Sequence, residues 1–279
     1  MNLIYFKTQV GNFGDDLNPW IWEKLFGDFE SYDKNIDFVG IGSILDGRLN
    51  KGNQVKVIFG SGIRDFQFTC NENIDIRFVR GPISSKYLNN ATYITDSAYC
   101  LALLEKNYSN QEKKYNCSII PYFRHIKIIN WKLFEKLTGI HVILPNNTIE
   151  NILEEIGASK KIIAGAMHGA IIADILRVPW KRLRLGKHGY ESLLTSEIKW
   201  CDWLYSMEIF EEIEILEIND KLFKNSRIAN FVSGRIQFFE LLKKINSKGK
   251  FYLSSNKVFD CKIDQLKKEV ERFIFDYKR

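Results

Sequence analysis

The chain has 279 residues, of which 45% are hydrophobic and 27% charged, with a formal net charge of +6. That balance excludes a disordered or collagen-like chain and leaves room for one large or two ordinary packed domains. A positive balance favours acidic ligands or an anionic membrane surface. The lysines are spread along the chain and no nucleic-acid-reading motif is present, so no nucleic acid is expected as a partner.

Leu3 to Phe6 is a short apolar run fit for a buried first strand. It leads into Gly11-Asn12-Phe13-Gly14-Asp15-Asp16-Leu17-Asn18-Pro19, where Asn18 before Pro19 predicts a helix start and a helix running to about Gly27. The loop before it holds two glycines and two adjacent acids and suits a ligand, although a solvated Asx turn would use the same residues. Ile36 to Ile41 and Val55 to Phe59 repeat the strand pattern. Each empties into glycine and serine, the second as Gly60-Ser61-Gly62-Ile63-Arg64. Ile74 to Val79 ends in Arg80-Gly81-Pro82, with Pro82 placed to open a helix, and Tyr93-Ile94-Thr95 ends in Asp96-Ser97. Strands that alternate with helices and end in small polar loops predict a parallel, doubly wound sheet with its functional residues along one edge.

Glu105 to Asn116 is polar and aperiodic, and a domain boundary is expected there. The pattern restarts with Cys117 to Tyr122, a new first strand leaving at Phe123-Arg124-His125. His141 to Leu144 follows, with His141 read as structural, and then a short helix from Thr148 to Ile156. Ile162-Ile163-Ala164-Gly165-Ala166-Met167-His168-Gly169 reads as strand, tight turn and helix start, the helix ending at Val178-Pro179. His168 therefore stands where open α/β sheets bind ligands and where unpaired helix N–H groups favour anions. A buried structural histidine is the plainer alternative. Gly165, Ala166 and Gly169 weigh against it, because residues without bulk let a ligand approach the backbone.

Arg182 to Gly189 is a further strand with a basic exit, followed by Lys199-Trp200-Cys201-Asp202-Trp203. Trp200 and Trp203 have rings that stack on sugars, but packing is the commoner use. The tail from about Asp220 is helical and Lys-rich. Its Ile263, Leu266, Val270, Phe273, Ile274 and Tyr277 fall on one helix face, which is expected to pack against the first domain. Membrane-surface contact through the basic face is the alternative.

The five cysteines, Cys70, Cys100, Cys117, Cys201 and Cys261, are far apart, with neither a CxxC pair nor metal-ligand spacing. Free thiols of a reducing compartment are expected, and no metal. The first residues lack the basic and long apolar regions of a signal peptide, and no apolar stretch reaches the length of a membrane span. A cytoplasmic location is the expectation.

Taken together the motifs resemble the polysaccharide pyruvyl transferase family, from about Ile4 to Leu204. The carriers are Gly11-Asn12-Phe13-Gly14-Asp15-Asp16-Leu17-Asn18, Phe59-Gly60-Ser61-Gly62, Val79-Arg80-Gly81-Pro82, Thr95-Asp96-Ser97-Ala98, Met167-His168-Gly169-Ala170 and Lys199-Trp200-Cys201-Asp202-Trp203, in that order. The chain looks closest to the branch found in bacterial exopolysaccharide loci. It departs at Ala166, where many members carry an arginine two residues before the histidine. The resemblance implies an α/β fold of two Rossmann-like domains, similar to the glycosyltransferase B (GT-B) architecture, with C-terminal helices packing back on the first domain. The implied divisions are residues 1–110 on the acceptor side, 117–215 on the phosphoenolpyruvate side and a helical extension over 216–279.

The family's reaction moves pyruvate from phosphoenolpyruvate onto two hydroxyls of one hexose as a cyclic ketal and releases phosphate. The implied partners are phosphoenolpyruvate as donor substrate, with no cofactor, and a hexose of a polyprenyl-linked exopolysaccharide or capsule precursor, met at the inner face of the membrane. A small donor carrying several negative charges asks for arginine, lysine, histidine and helix amino ends. Candidate binding residues are Asn12, Gly14, Arg80, Arg124, His125, Met167, Gly169, Lys187 and His188. His168 is expected at the phosphate or carboxylate, and Asp15 or Asp16 as the base. For Arg80 an interdomain salt bridge is an equal alternative. A GT-B glycosyltransferase with a nucleotide-sugar donor and a noncatalytic sugar-binding module remain as other functions. The second half lacks a convincing ribose-binding acid for the former, and the retained Asp15, Asp16, Arg124 and His168 speak against the latter.

Overall fold

The short apolar strands sort into two separate parallel sheets. The computed structural model describes residues 1–9, 11–105, 108–185, 192–218, 227–245 and 249–278, with the backbone alone for 227–234. In the first sheet β1 (Asn2–Ile4), β2 (Ile36–Val39), β3 (Val55–Phe59) and β4 (Ile74–Phe78) lie side by side in chain order. Helix α1 (Phe13–Phe26) joins β1 to β2, and α2 (Pro82–Tyr87) follows β4. The second sheet takes β5 (Ser118–Ile120), β6 (His141–Val142), β7 (Ile162–Ala164), β8 (Trp180–Leu185) and β9 (Ile215–Ile218) in the spatial order β6-β5-β7-β8-β9. Its crossovers carry α3 (Trp131–Thr138), α4 (Ile149–Gly157), α5 (Met167–Ile175) and α6 (Leu193–Ser206). Helices α7 (Arg227–Ile245) and α8 (Asn256–Tyr277) follow. Among the described residues these nine strands pair only in parallel. The second sheet steps outward from β5 to β6 and then reverses to β7, so the carboxyl ends of β5 and β7 flank a topological switch point, the usual ligand crevice of open α/β sheets.

Helix α1 begins at Phe13 and contains Pro19, which corrects the predicted start at Asn18. The proline has no N–H for the Asp15 carbonyl. Asn18 supplies the missing donor from its side chain, Nδ2 donating to Asp15 O at 3.0 Å. The same buried amide donates to Ile41 O at 2.9 Å and accepts from Ile41 N–H at 2.8 Å and Trp22 Nε1 at 3.0 Å. A residue pair that looks like a cap thus mends a proline break and ties the helix to the chain leaving β2.

Helix α8 returns to the first sheet as its stripe predicts. Leu266, Val270 and Phe273 are buried, and the Phe273 ring packs on Phe26 with centroids 4.7 Å apart and on Tyr32, Phe38 and Phe59. Its approach is fixed by buried Asp174 of α5, which accepts from Ser254 N–H at 2.8 Å, Ser254 Oγ at 2.6 Å, Tyr99 OH at 2.9 Å and Trp180 Nε1 at 3.2 Å. Helix α7 does not return with it. Phe238, Leu241 and Ile245 bury in the second core with Leu216 and Ile218 of β9. The expectation that both C-terminal helices pack on the first domain therefore holds for α8 only, and the second unit runs past residue 215 through β9 and α7. An apolar fifth strand needs a cover, and α7 provides it.

The two units are clasped by Asp202 of α6, which is wholly buried. It accepts from the N–H groups of Ile83 and Ser84 at 2.9 and 3.0 Å, from Ser84 Oγ at 2.6 Å and from Arg80 Nε at 3.2 Å. Pro82 opens α2 without an N–H, so this carboxylate from the other unit serves the next two unpaired donors. Gly81 permits the approach, since a Cβ there would lie 1.9 Å from the Asp202 carbonyl oxygen. Asp202→Ala would strand the Arg80 guanidinium and is expected to cost about 3–5 kcal/mol, read as a lower denaturant midpoint. A loss below about 1 kcal/mol would contradict the clasp.

Candidate active site

The carboxyl edges of both sheets open on one cleft of about 180 Å³. From the first unit come Asn12, the cap residue just before α1, and Asp15 of α1, Phe6 after β1, Gly42 to Ile44 after β2 and Arg64 after β3. From the second come Tyr122 to Arg124 after β5, Gly165 to His168 after β7, Arg182 to Arg184 of β8, and Ser196, Lys199 and Trp200 of α6. The loops after β5 and β7 are those that flank the switch point. Gly165 lets them touch, because a Cβ there would sit 2.8 Å from Tyr122 N.

His168 enters the cleft from the first turn of α5, its ring in the space that Gly14 leaves: a Cβ at Gly14 would lie 2.1 Å from Nδ1. On the other side Nε2 faces Asp96 Oδ2 at 3.9 Å, beyond hydrogen-bonding distance. Burial first, then the charges of Lys199 and Arg80, push the imidazole down to about 3, so it is neutral at ordinary pH. Burial raises Asp96 to about 6 against the pull of Arg80.

The adjacent acids Asp15 and Asp16 have separate tasks. Asp16 Oδ2 accepts the backbone N–H of Asn12 at 2.8 Å, closing the first turn of α1, and does not line the cleft. Asp15 lines it and accepts from the Asn12 side-chain amide. Burial raises Asp15 to about 7; Lys199 opposes the shift, and Asp16 and Asp96 add to it.

Alternate strand residues share a face, and β8 uses this to present Arg182 and Arg184 together. Glu197 bridges them, taking Arg182 Nη2 at 2.6 Å and Nη1 at 2.9 Å as well as Arg184 Nη2. The Arg182 guanidinium lies over the Trp200 ring, 4.5 Å from its centroid. With Arg64, Arg124 and Lys199 the wall is strongly basic.

Of the residues selected from sequence, Asn12, Asp15, Arg124, Met167 and His168 line the cleft. Others do not, for identifiable reasons. Gly14 makes room for His168, and Gly169 admits Ile120, whose Cγ2 would lie 2.5 Å from a Cβ. Arg80 belongs to the clasp, donating through Nη1 to Ser43 Oγ at 2.6 Å and through Nε to Asp202. His125 is 2% exposed and packs edge-on to Tyr122, because the turn over Phe123–His125 sends Arg124, not His125, into the cleft. Asp16 is a helix-start residue. Lys187 and His188 lie outside the described residues. Trp203 packs on Trp180 at 5.1 Å, whereas Trp200 reaches the cleft. His141 is structural, held between Glu135 at 2.9 Å and Glu155 at 3.3 Å and stacked on Tyr115.

Sequence reasoning missed Arg64, Arg182, Arg184 and Lys199. The spacing of Arg182 and Arg184 in a strand was an available signal. Arg64 stands at the glycine-rich exit of β3, on the edge where functional residues were expected, and it acts on Asp15 within its own unit. Among the described residues no three His, Cys, Asp or Glu side chains gather as for a metal ion, and no helix is long and apolar enough to cross a membrane.

Residues 9–180 match the family model described as polysaccharide pyruvyl transferase. The succinoglycan biosynthesis protein ExoV of Rhizobium meliloti (strain 1021) is 31% identical over 214 residues, covering 75% of this chain and 66% of that protein. The match thus spans just under two thirds of that relative's length. The family match includes Asp15, Arg124 and His168 and stops short of Arg182, Arg184 and Lys199.

The Asp15 carboxyl ordinarily titrates at 3.8 and here near 7, so between those values the folded chain holds a proton that the unfolded chain has released. Its contribution to stability therefore falls as pH rises from about 4 to about 7 and is level above that. Asp15→Asn is neutral throughout; it should lack this slope and exceed the parent in stability above about pH 7. Urea midpoints of both chains at about pH 5 and about pH 8 check this, and equal slopes would contradict the assigned shift.

Proposed function

Because the chain belongs to the polysaccharide pyruvyl transferase family, we propose that its cleft transfers the pyruvate unit of phosphoenolpyruvate to two hydroxyls of one hexose in a glycan precursor, with release of phosphate. The observation that carries this reading is one cleft joining a basic wall to an acid that titrates near neutrality. Arg124, Arg182, Arg184 and Lys199 offer the cationic surroundings that a compact phosphorylated carboxylate needs, and Asp15, at about 7, carries its proton on a large fraction of molecules at neutral pH.

The steps follow from those states. Protonated Asp15 gives its proton to the methylene carbon, which becomes a methyl group while the adjacent carbon becomes electrophilic. A sugar hydroxyl adds there and loses its proton. Phosphate then leaves as the carbon–oxygen bond breaks, and the second hydroxyl closes the ring with loss of its own proton. One proton enters and two leave: the Asp15 carboxylate is placed to take back one, and the departing phosphate, which leaves with the electron pair of the broken carbon–oxygen bond, takes the other. His168, which burial keeps neutral at ordinary pH, donates a hydrogen bond to the phosphate; the arriving anion also favours its charged form, which strengthens that bond as phosphate charge builds up. This gives Asp15 the acid's role before the base's, and Asp16 neither.

The name of the Rhizobium meliloti relative refers to succinoglycan biosynthesis. By that likeness the proposed acceptor is a hexose of an exopolysaccharide precursor; we further propose that this precursor is polyprenyl-linked and met at the inner membrane face by a cytoplasmic protein of GT-B architecture. The protein's own cations offset the donor's charge in this scheme, and no metal is required.

Phosphate release from the purified protein tests the reading, and it should require phosphoenolpyruvate and acceptor glycan together. His168→Ala should lower kcat/KM by about 10- to 100-fold, the worth of one charge-assisted hydrogen bond. Its melting temperature, taken on the same preparation, should stay near the parent's. A destabilised variant with normal kinetics would return His168 to a structural role. Exhaustive chelation should leave the rate unchanged, and rescue by a specific divalent ion would contradict charge neutralisation by the protein alone. Saturable binding of a nucleotide sugar, with none of phosphoenolpyruvate, would replace pyruvyl transfer with glycosyl transfer.

A further inference from the structure

Two buried polar atoms face each other behind the cleft. His168 Nε2 and Asp96 Oδ2 are both sealed from solvent and without a hydrogen-bond partner, and they lie 3.9 Å apart. Asp96 is wholly buried and caps the turn Ser97–Leu103, its Oδ1 accepting the Ala98 N–H at 3.0 Å. That bond pins one carboxyl oxygen and leaves Oδ2 to the imidazole. Arg80, the cation that pulls on Asp96, donates instead to Ser43 and Asp202. The second ring nitrogen of His168, Nδ1, lies in the gap over Gly14 and is not sealed, in a side chain that is 15% exposed and lines the cleft.

A neutral imidazole carries one N–H and one lone pair, and the partner of one nitrogen decides the state of the other. To donate to a phosphate in the cleft, His168 needs its proton on Nδ1. Nε2 is then a bare acceptor, and an ionised Asp96 would set lone pair against lone pair. A protonated Asp96 offers Oδ2–H instead and satisfies both orphaned atoms with one bond. We propose that Asp96 is a positioning residue for His168: its Oδ2 proton, shared with Nε2, holds the imidazole proton on Nδ1, where it meets the phosphate of the donor. The inference rests on reading the cleft as the site of phosphate departure. A ring shift of about 1 Å brings the pair to hydrogen-bond length, and contacts of this kind tighten when substrate arrives. Burial, opposed by Arg80, the Ala98 N–H and Lys199 and aided by Asp202, raises Asp96 to about 6, so the proton is available close to neutrality. Asp96 also adds to the rise of Asp15 and of Tyr99 and Cys100 on its own turn, both of which burial keeps protonated. Once Asp96 ionises, Nε2–H serves the carboxylate, and the Nδ1 lone pair then meets the arriving anion.

Ring-nitrogen NMR of the full chain carrying isotope-labelled histidine tests this, with the His168→Gln spectrum identifying the His168 signals. Without any donor, His168 should hold Nδ1–H at about pH 5 and pass to Nε2–H as pH rises through about 6. In Asp96→Asn the Ala98 N–H keeps the amide oxygen in the Oδ1 place, so an N–H stands where Oδ2–H stood. The Nδ1–H form should then persist to about pH 8. Calorimetric titration with phosphoenolpyruvate gives the consequence: Asp96→Asn should match the parent at about pH 5 and bind about tenfold or more tightly than it at about pH 8. Titration of the donor and of Asp15 occurs in both chains and does not produce this difference. Asp96→Ala removes the same charge and supplies no donor, so it should bind about tenfold more weakly than Asp96→Asn at either pH. An Asp96 that served only as counter-charge to Arg80 would make the two variants alike. Nε2–H in the parent at about pH 5, Nε2–H in Asp96→Asn, or equal affinities of the two variants overturns the proposal. Melting temperatures show which variants are folded, and the parent's pH series decides the matter if neither is. The two readings fail separately: if the tautomer follows Asp96 but phosphoenolpyruvate does not bind, the reading of the cleft falls and the pair stands.

Discussion

The Asp202 carboxylate fixes how the two sheets meet. It sits out of contact with water on α6, yet its four donors all come from Arg80, Ile83 and Ser84 of the other unit. A buried charge of this kind tolerates little displacement, since any separation leaves both the carboxylate and the guanidinium unsolvated. Lys199 and Trp200, on the same helix, line the cleft. The helix that clasps the units is therefore also a wall of the site, and the distance between the two carboxyl edges is set by a bond outside the cleft.

The clasp reaches the site electrically as well. Arg80 pulls against the burial-driven rise of Asp96 and, behind burial and Lys199, helps keep the imidazole of His168 uncharged. The cleft is in this way basic without being protonated at every basic group: permanent cations stand along β8 and α6, a neutral histidine stands at the start of α5, and a proton stays available on Asp15. A phosphorylated carboxylate entering such a site brings negative charge that favours the protonated forms of Asp15 and His168. On the proposed reaction the donor thus prepares its own acid, and departure of phosphate returns the site to its resting state.

Strands β1 to β8 and their order of appearance were legible because a short apolar run bounded by glycine and serine is too short for a buried helix and buries well in a sheet; β9 was not read from the sequence, and the run Tyr93–Thr95, read with the strands, makes only an isolated bridge from Tyr93 to Val79. The stripe Leu266, Val270 and Phe273 announced α8, and the turn at Gly165 to His168 announced the switch point. The start of α1 is hidden in the sequence because Asn18 and Pro19 look like a cap whenever the Asp15 carbonyl and the Ile41 backbone are out of view. Local pattern also could not separate Asp15 from Asp16, because one backbone N–H, that of Asn12, decides which of them is engaged. The glycines chosen as ligand contacts turned out to be packing devices, Gly14 for the His168 ring and Gly169 for Ile120. Arg64 was visible at the exit of β3 but not singled out, since a strand-end arginine looks the same whether it meets solvent or, as here, the Asp15 side of a cleft. The cover of β9 by α7 was hidden because an amphipathic helix states that it packs, not on which body.

A structure of the protein crystallised with phosphoenolpyruvate bears most directly on the proposed transfer. The account predicts phosphate and carboxylate among Arg124, Arg182, Arg184 and Lys199, the His168 imidazole against the phosphate, and the methylene carbon within about 3.5 Å of the Asp15 carboxyl. A donor bound away from this cleft, or held in it with the methylene carbon turned from Asp15, would contradict the account.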